Sequence, residues 1–160
     1  MPLPKPEHRL PSEATVYTES WAYEAEELAK AFQNEQVVDQ PMREFGNFWS
    51  YGSHLLFRAD GPAIFKAGLP TYPSDAGDYA LEVWYTAGPN YGRCELWLNG
   101  AKVCGWDGFN ATGVVRKKLE KPSPITIKPS GNILELRVVG RNDASTGFLA
   151  GWDCYRVTPR

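Results

Sequence analysis

The sequence predicts an all-β protein, a two-sheet antiparallel β-sandwich, and three observations carry that expectation. Short runs with period-two alternation recur from Thr15 onward. Gly, Pro, Asn and Asp punctuate them about every ten residues, the spacing of sandwich turns. Alternating βα units, which a parallel sheet requires, are absent.

The clearest strand is Asp78-Tyr79-Ala80-Leu81-Glu82-Val83-Trp84-Tyr85, where Tyr79, Leu81, Val83 and Tyr85 form a core row and Trp84 alternates outward. Asn99-Gly100 between two alternating runs predicts a two-residue hairpin pairing Leu98 with Ala101 and Leu96 with Val103. In that register Leu96, Leu98 and Val103 point inward, and Glu95, Trp97 and Lys102 outward. Further strands are expected at 53–57, 63–67, 113–119, 125–127, 132–139 and 152–157. One segment disagrees: Tyr23, Ala25, Leu28, Ala29 and Phe32 fall at helical spacing, and local composition favours a helix there.

A chain of 160 residues fits one domain and buries roughly 70% of its unfolded surface. Residues 1–14, with Pro2, Pro4 and Pro6, read as a linker or N-terminal extension, and 15–160 as the sandwich domain. No apolar stretch of signal-peptide kind occurs before Tyr17, so the chain reads either as a cytosolic protein or as a piece excised from a longer secreted one, and the linker-like proline start favours excision. The expected location is extracellular or periplasmic, with other domains of that protein as neighbours. The net charge of -2 and scattered basic residues exclude nucleic acid as an expected partner, and no window has the length of a membrane span. Aromatic residues make up 13%, enough for core anchors and for a contact surface.

Cys94, Cys104 and Cys154 are too few for a zinc site or a disulfide framework. The hairpin register sets Cys94 opposite Gly105 and Cys104 opposite Glu95, on different faces, which disfavours a bridge between them. Catalysis has little to rest on. His8 lies in the linker segment, and His54 at a strand start reads as a half-exposed structural histidine. No nucleophile elbow, metalloprotease, phosphate-loop or dinucleotide motif is present. Two acids flanking a cleft would suffice for glycoside hydrolysis, so a glycan-cleaving enzyme stands as the weakest of three alternatives.

Three sets of residues suggest binding instead. Trp84 and Trp97 are outward-facing rings on strands expected to be neighbours, serving either as a contact surface or as a seat for a covering loop. In loops, Tyr91, Trp106, Asp107, Phe109 and Asn142 combine large rings with side chains that hydrogen-bond vicinal hydroxyls. Glu24, Glu26 and Asp153 form an acidic set: a strand would put Glu24 and Glu26 on one face, and pairing of first and last strands would bring Asp153 close. Such carboxylates are either solvated or bridged by a cation such as calcium.

The order and spacing of several motifs resemble the jelly-roll carbohydrate-binding modules related to families 6 and 35. They are Tyr23-Glu24-Ala25-Glu26, Trp49-Ser50-Tyr51-Gly52, Ala76-Gly77-Asp78-Tyr79-Ala80-Leu81-Glu82-Val83, Leu98-Asn99-Gly100 and Gly151-Trp152-Asp153-Cys154-Tyr155, and the likeness covers about 16–158. The resemblance implies a jelly roll, a first strand at Tyr23 to Glu26 in place of helix for those residues with a turn still open at Leu28 to Phe32, and a structural calcium held by acids matching Glu24, Glu26 and Asp153. It implies an oligo- or polysaccharide ligand bound without catalysis at loop positions such as Tyr91, Trp106 and Asn142. Trp152 departs from the smaller aliphatic residue typical of the family. The competing expectation is a structural or protein-interaction module whose outward tryptophans pack on a neighbouring domain.

Overall fold

A computed structural model describes residues 23–69, 75–119 and 121–160. The linker expected at 1–14, and the strand signals between Thr15 and Trp21, lie outside the described residues. Among the described residues, eleven strands form two antiparallel sheets, as the alternation predicts. The first sheet contains β1 (Tyr23–Glu24), β2 (Val37–Pro41), β3 (Ser53–Phe57), β5 (Gly77–Ala87), β8 (Val115–Lys118), β9 (Ile125–Ile127) and β11 (Ala150–Pro159). Its order is β2-β3-β11-β5-β8, with β1 also pairing β11 and β9 also pairing β5. The second sheet runs β4-β10-β6-β7, from β4 (Ala63–Leu69), β10 (Asn132–Gly140), β6 (Arg93–Leu98) and β7 (Ala101–Asp107).

The core fills the space between the sheets with Leu55, Phe57, Phe65, Val83, Leu96, Leu134, Leu136, Val138 and Trp152. Burial follows the period-two pattern in β4, β6 and most of β10, whereas β3, the end of β5 and the start of β11 are buried on both faces. The two readings of 23–32 each hold in part. The strand stops at Glu24, and Ala25–Phe32 is a 3-10 helix that buries Ala25 and Phe32, the latter edge-on to Phe57.

The hairpin turn forms where Asn99-Gly100 predicts it, with positive φ at both residues (52° and 82°), as a type I′ turn demands. Beyond the turn the register differs from the expectation. Leu98 pairs Ala101 and Trp97 pairs Lys102, but Leu96 then pairs Cys104, leaving Val103 as the extra residue of a β-bulge. One inserted residue reverses the facing of everything after it. Cys104 and Trp106 therefore turn inward, and Cys94 lies across from Trp106. Cys94 and Cys104 share the inner face yet remain free thiols, as does Cys154.

At one end of the sandwich, the connections at 88–92, 108–114 and 141–149 gather together. The opposite end carries the Asn99-Gly100 turn and the approach to β9.

Candidate functional site

The clustered loops are stitched by backbone hydrogen bonds. Gly88 N–H donates to Gly108 O at 2.8 Å, Gly108 N–H to Gly92 O at 2.9 Å, and Gly92 N–H to Leu149 O at 2.8 Å. Such close approach needs glycine: a Cβ on Gly108 would lie 2.6 Å from Gly92 O, and one on Gly92 would lie 2.9 Å from Gly140 O. Ser145 Oγ completes the seam by donating to Tyr91 O at 2.7 Å. A rigid platform at a sandwich end results, the kind of support that holds polar side chains in one geometry.

On this platform Asp107 is the hub. Its Oδ2 accepts from Asn142 Nδ2 at 3.0 Å and lies 3.5 Å from Arg93 Nε, while Oδ1 accepts the Phe109 backbone N–H at 3.0 Å. Partial burial opposes its charge, but the hydrogen bonds from Asn142 and Phe109 and the Arg93 guanidinium together hold the carboxyl below its ordinary range. Phe109 is half-buried beside it, and Phe148 is a second half-buried ring with the Arg141 guanidinium 5.0 Å from its centroid. The cluster thus combines a fixed acceptor, amide donors, two guanidinium groups and two part-exposed rings. Arg93, Arg141 and Phe148 were not expected. Arg93 continues the outward row of Glu95 and Trp97, a signal visible in the alternation, whereas Phe148 in Thr146-Gly147-Phe148 carries no local signal.

Three rings expected at a contact surface are instead buried. Trp106 is 7% exposed because the bulge turns it inward, where it stacks on Tyr85 at 5.0 Å between centroids. Tyr91 is 4% exposed beneath the loop seam, and burial pushes its hydroxyl up to about 12. Trp84 does lie on the outer face of the first sheet, yet it is only 4% exposed. Arg116, Lys118 and Arg156 all reach over its ring, at 5.4, 5.2 and 5.2 Å from the centroid. Cation–π attraction favours this lid, and Glu82 anchors it with a bidentate pair to Arg156 and a 2.8 Å contact to Lys118. The hydrogen bond from Arg156 chiefly draws the Glu82 carboxyl down to about 2.

Trp97 stays half-exposed on the outer face of the second sheet. Arg137 lies 3.8 Å from its centroid, and its Nε1–H donates to Glu95 Oε1 at 3.0 Å. Trp84 and Trp97 are therefore on different sheets and do not form one surface.

The acidic set does come together. Glu24, Glu26 and Asp153 are all buried, and each offers an oxygen within 4.8 Å of the others. Glu24 arrives on β1 opposite Cys154 and Asp153 at a register shift in β11. Glu26 arrives through the helical turn, not through strand alternation. Around them Ser50 Oγ donates to Glu24 Oε2 at 2.7 Å, and Arg116 Nε donates to Asp153 Oδ2 at 2.5 Å. Burial pushes the Asp153 carboxyl up to about 6, against the pull of Arg116.

His54 is fully buried, not half-exposed. Trp49 Nε1–H donates to Thr86 Oγ1 at 2.8 Å, the Thr86 hydroxyl faces His54 Nδ1 at 2.7 Å, and His54 Nε2 meets Gln40 Oε1 at 2.6 Å. A neutral ring with its proton on Nε2 satisfies every partner, and desolvation drives its pKa down to about 3. Gly151 makes room for it, since a Cβ there would lie 2.6 Å from the ring.

No protein-family model and no curated protein sequence matches the chain. Solved structures do match in fold. A xanthan lyase from Paenibacillus superposes with a TM-score of 0.63 at 21% identity, over 92% of this chain and 14% of that one. A family 35 carbohydrate-binding module from Clostridium thermocellum gives 0.50 at 18%, over 88% of this chain and 99% of the module. A GH26-CBM35 β-(1,4)-mannanase from Podospora anserina gives 0.51 at 15%, over 87% and 27%. The chain thus spans about one seventh of the lyase it resembles and nearly all of the isolated module, and at these identities the likeness is one of fold.

Proposed function

We propose that the chain is a non-catalytic carbohydrate-binding module whose sugar contacts centre on Asp107, Asn142 and Phe109. One observation carries this reading: a carboxylate fixed by Asn142, Arg93 and a backbone N–H sits beside a part-exposed ring on glycine-locked loops. A pyranose presents an apolar C–H face that packs on a ring and equatorial hydroxyls that need fixed donors and acceptors at the rim. The fold likeness to a family 35 module supports the assignment. Against catalysis, His54 is sealed and neutral, and Asp107 is held ionised by its donors, the opposite of the raised pKa a general acid needs.

Glu24, Glu26 and Asp153 fit a structural divalent cation such as calcium. Oxygens bound to one calcium at 2.3–2.6 Å lie no more than about 5 Å apart, which the 4.8 Å limit on this cluster meets. These three residues would hold the ion, tying β1 to β11. The parent of such a module is a larger extracellular or periplasmic protein, and avidity from its other domains would compensate a shallow site.

A second reading, a protein-interaction module, is favoured by exposed apolar residues on the outer face around Trp97: Ile64, Ile133 and Val139. Glycan-array screening followed by calorimetry separates the two. On the proposed reading Asp107→Ala lowers affinity about 10- to 100-fold and Phe109→Ala about 5-fold, with Trp97→Ala near wild type. Loss confined to Trp97→Ala would move the site to the sheet face, and no binding to any glycan would favour the protein-interaction module.

A further inference from the structure

We propose that the sandwich end opposite the loop cluster binds a small anionic amphiphile, a carboxylate on a short aliphatic chain. Two voids meet there. The inner one, about 70 Å³, lies between the sheets and is walled by Leu81, Leu96, Leu134, Trp152 and Val157. The outer one, about 340 Å³, opens to solvent between the Asn99-Gly100 turn and β9, and is lined by Lys102, Lys128, Thr126 and Asn99. Leu98, Val103 and Ile125 line both, so the aliphatic interior and the polar mouth share one rim.

The chemistry of the two parts selects the ligand. An aliphatic cavity of this kind stays dry, and its walls forgo dispersion contacts that an apolar chain would restore. A sugar fits the inner part poorly, because the lining is mainly aliphatic and most of its hydroxyls would lose water without gaining partners. At roughly one water-sized group per 10–15 Å³ of cavity, the inner void takes a chain of about five carbons. At the mouth, Lys102 Nζ is 3.0 Å from Glu95 Oε2, whereas Lys128 makes no ion pair among the described residues. Lys128 is thus the group that meets the carboxylate, since the Thr126 hydroxyl already donates to Asp78 Oδ1 at 2.7 Å and the Asn99 amide to Asn132 Oδ1 at 2.9 Å. The bulge at Val103 builds the rim, since it displaces that side chain from regular pairing at the point where both voids meet. This assignment is independent of the sugar site, which lies at the other end.

The test is a titration with 6-bromohexanoate, whose bromine quenches a tryptophan it touches. Saturable quenching is expected in the wild type and lost in Trp152→Phe, which still binds by calorimetry. Lys128→Glu, an exposed change that leaves folding intact, is expected to weaken 6-bromohexanoate about tenfold and to leave 1-hexanol unaffected. Leu81→Phe fills the inner void and is expected to remove both ligands. Absence of saturable quenching, quenching that persists in Trp152→Phe, or indifference to Lys128→Glu would each overturn the proposal, as would equal binding of glucuronate, which has the charge without the chain.

Discussion

Trp106 lies directly across from Cys94 in the β6–β7 hairpin, one residue beyond the position that regular pairing from the Asn99-Gly100 turn would give it. The Val103 bulge makes that difference, and it decides what the largest ring of the hairpin does. With even register the indole would face water as a platform for a ligand. With the bulge it stacks on Tyr85 inside the sandwich. Trp106→Ala is therefore expected to cost about 3–5 kcal/mol in urea unfolding, as for other buried aromatics, with glycan affinity retained in the folded fraction.

His54 makes the fold sensitive to acid. Its folded pKa, about 3, lies below the ordinary 6.5. Its neutral form is stable above pH 6.5, and stability is lost as pH falls through that window, because the unfolded chain takes up the proton first. The loss reaches roughly 4–5 kcal/mol near pH 3. Urea midpoints measured from pH 7 to pH 3 are expected to fall more steeply in the wild type than in His54→Gln, which keeps hydrogen-bonding groups for Thr86 and Gln40.

Calcium is expected to stabilise the chain through Glu24, Glu26 and Asp153. At a hundredfold excess over the dissociation constant the gain is about 2.7 kcal/mol, which for a domain of this size raises Tm by roughly 5–10 °C. Glu26→Gln should abolish the calcium-dependent part of the shift in differential scanning fluorimetry, and a chelator should reproduce the metal-free Tm.

The three thiols are buried and remain free. Burial pushes Cys94 and Cys154 far up and Cys104 up to about 12, so little nucleophilic thiolate forms at neutral pH. An aromatic disulfide reagent is expected to find almost no thiol in the native protein and three in guanidinium. Native mobility should not change on reduction.

What could be read from the residues was what alternation encodes. Strands β3 and β10 match Ser53 to Phe57 and Asn132 to Val139 to within a residue, whereas β5 runs on to Ala87, past the Asp78 to Tyr85 row in which Leu81 is only half-buried. Strand β2 escaped notice because Val37-Val38-Asp39-Gln40-Pro41 is a short edge strand, with alternating burial but an adjacent valine pair that blurs the pattern. In the site, the polar residues were legible and the rings were not. Asp107 and Asn142 carry turn chemistry that survives any register. The exposure of Trp106 depended on a bulge that no local pattern announces, and that of Trp84 on cations supplied by β8 and β11. The acidic set was found because strand pairing sufficed to bring it together, although Glu26 arrived by a helical turn.

The most direct measurement is amide-resolved NMR of the chain titrated with its best array glycan. Shift changes are expected to concentrate on Asp107, Phe109, Asn142 and Arg93, with Trp97 and its neighbours on β10 unmoved. Changes centred on Trp97 and Arg137, with the loop amides silent, would contradict the proposed sugar site.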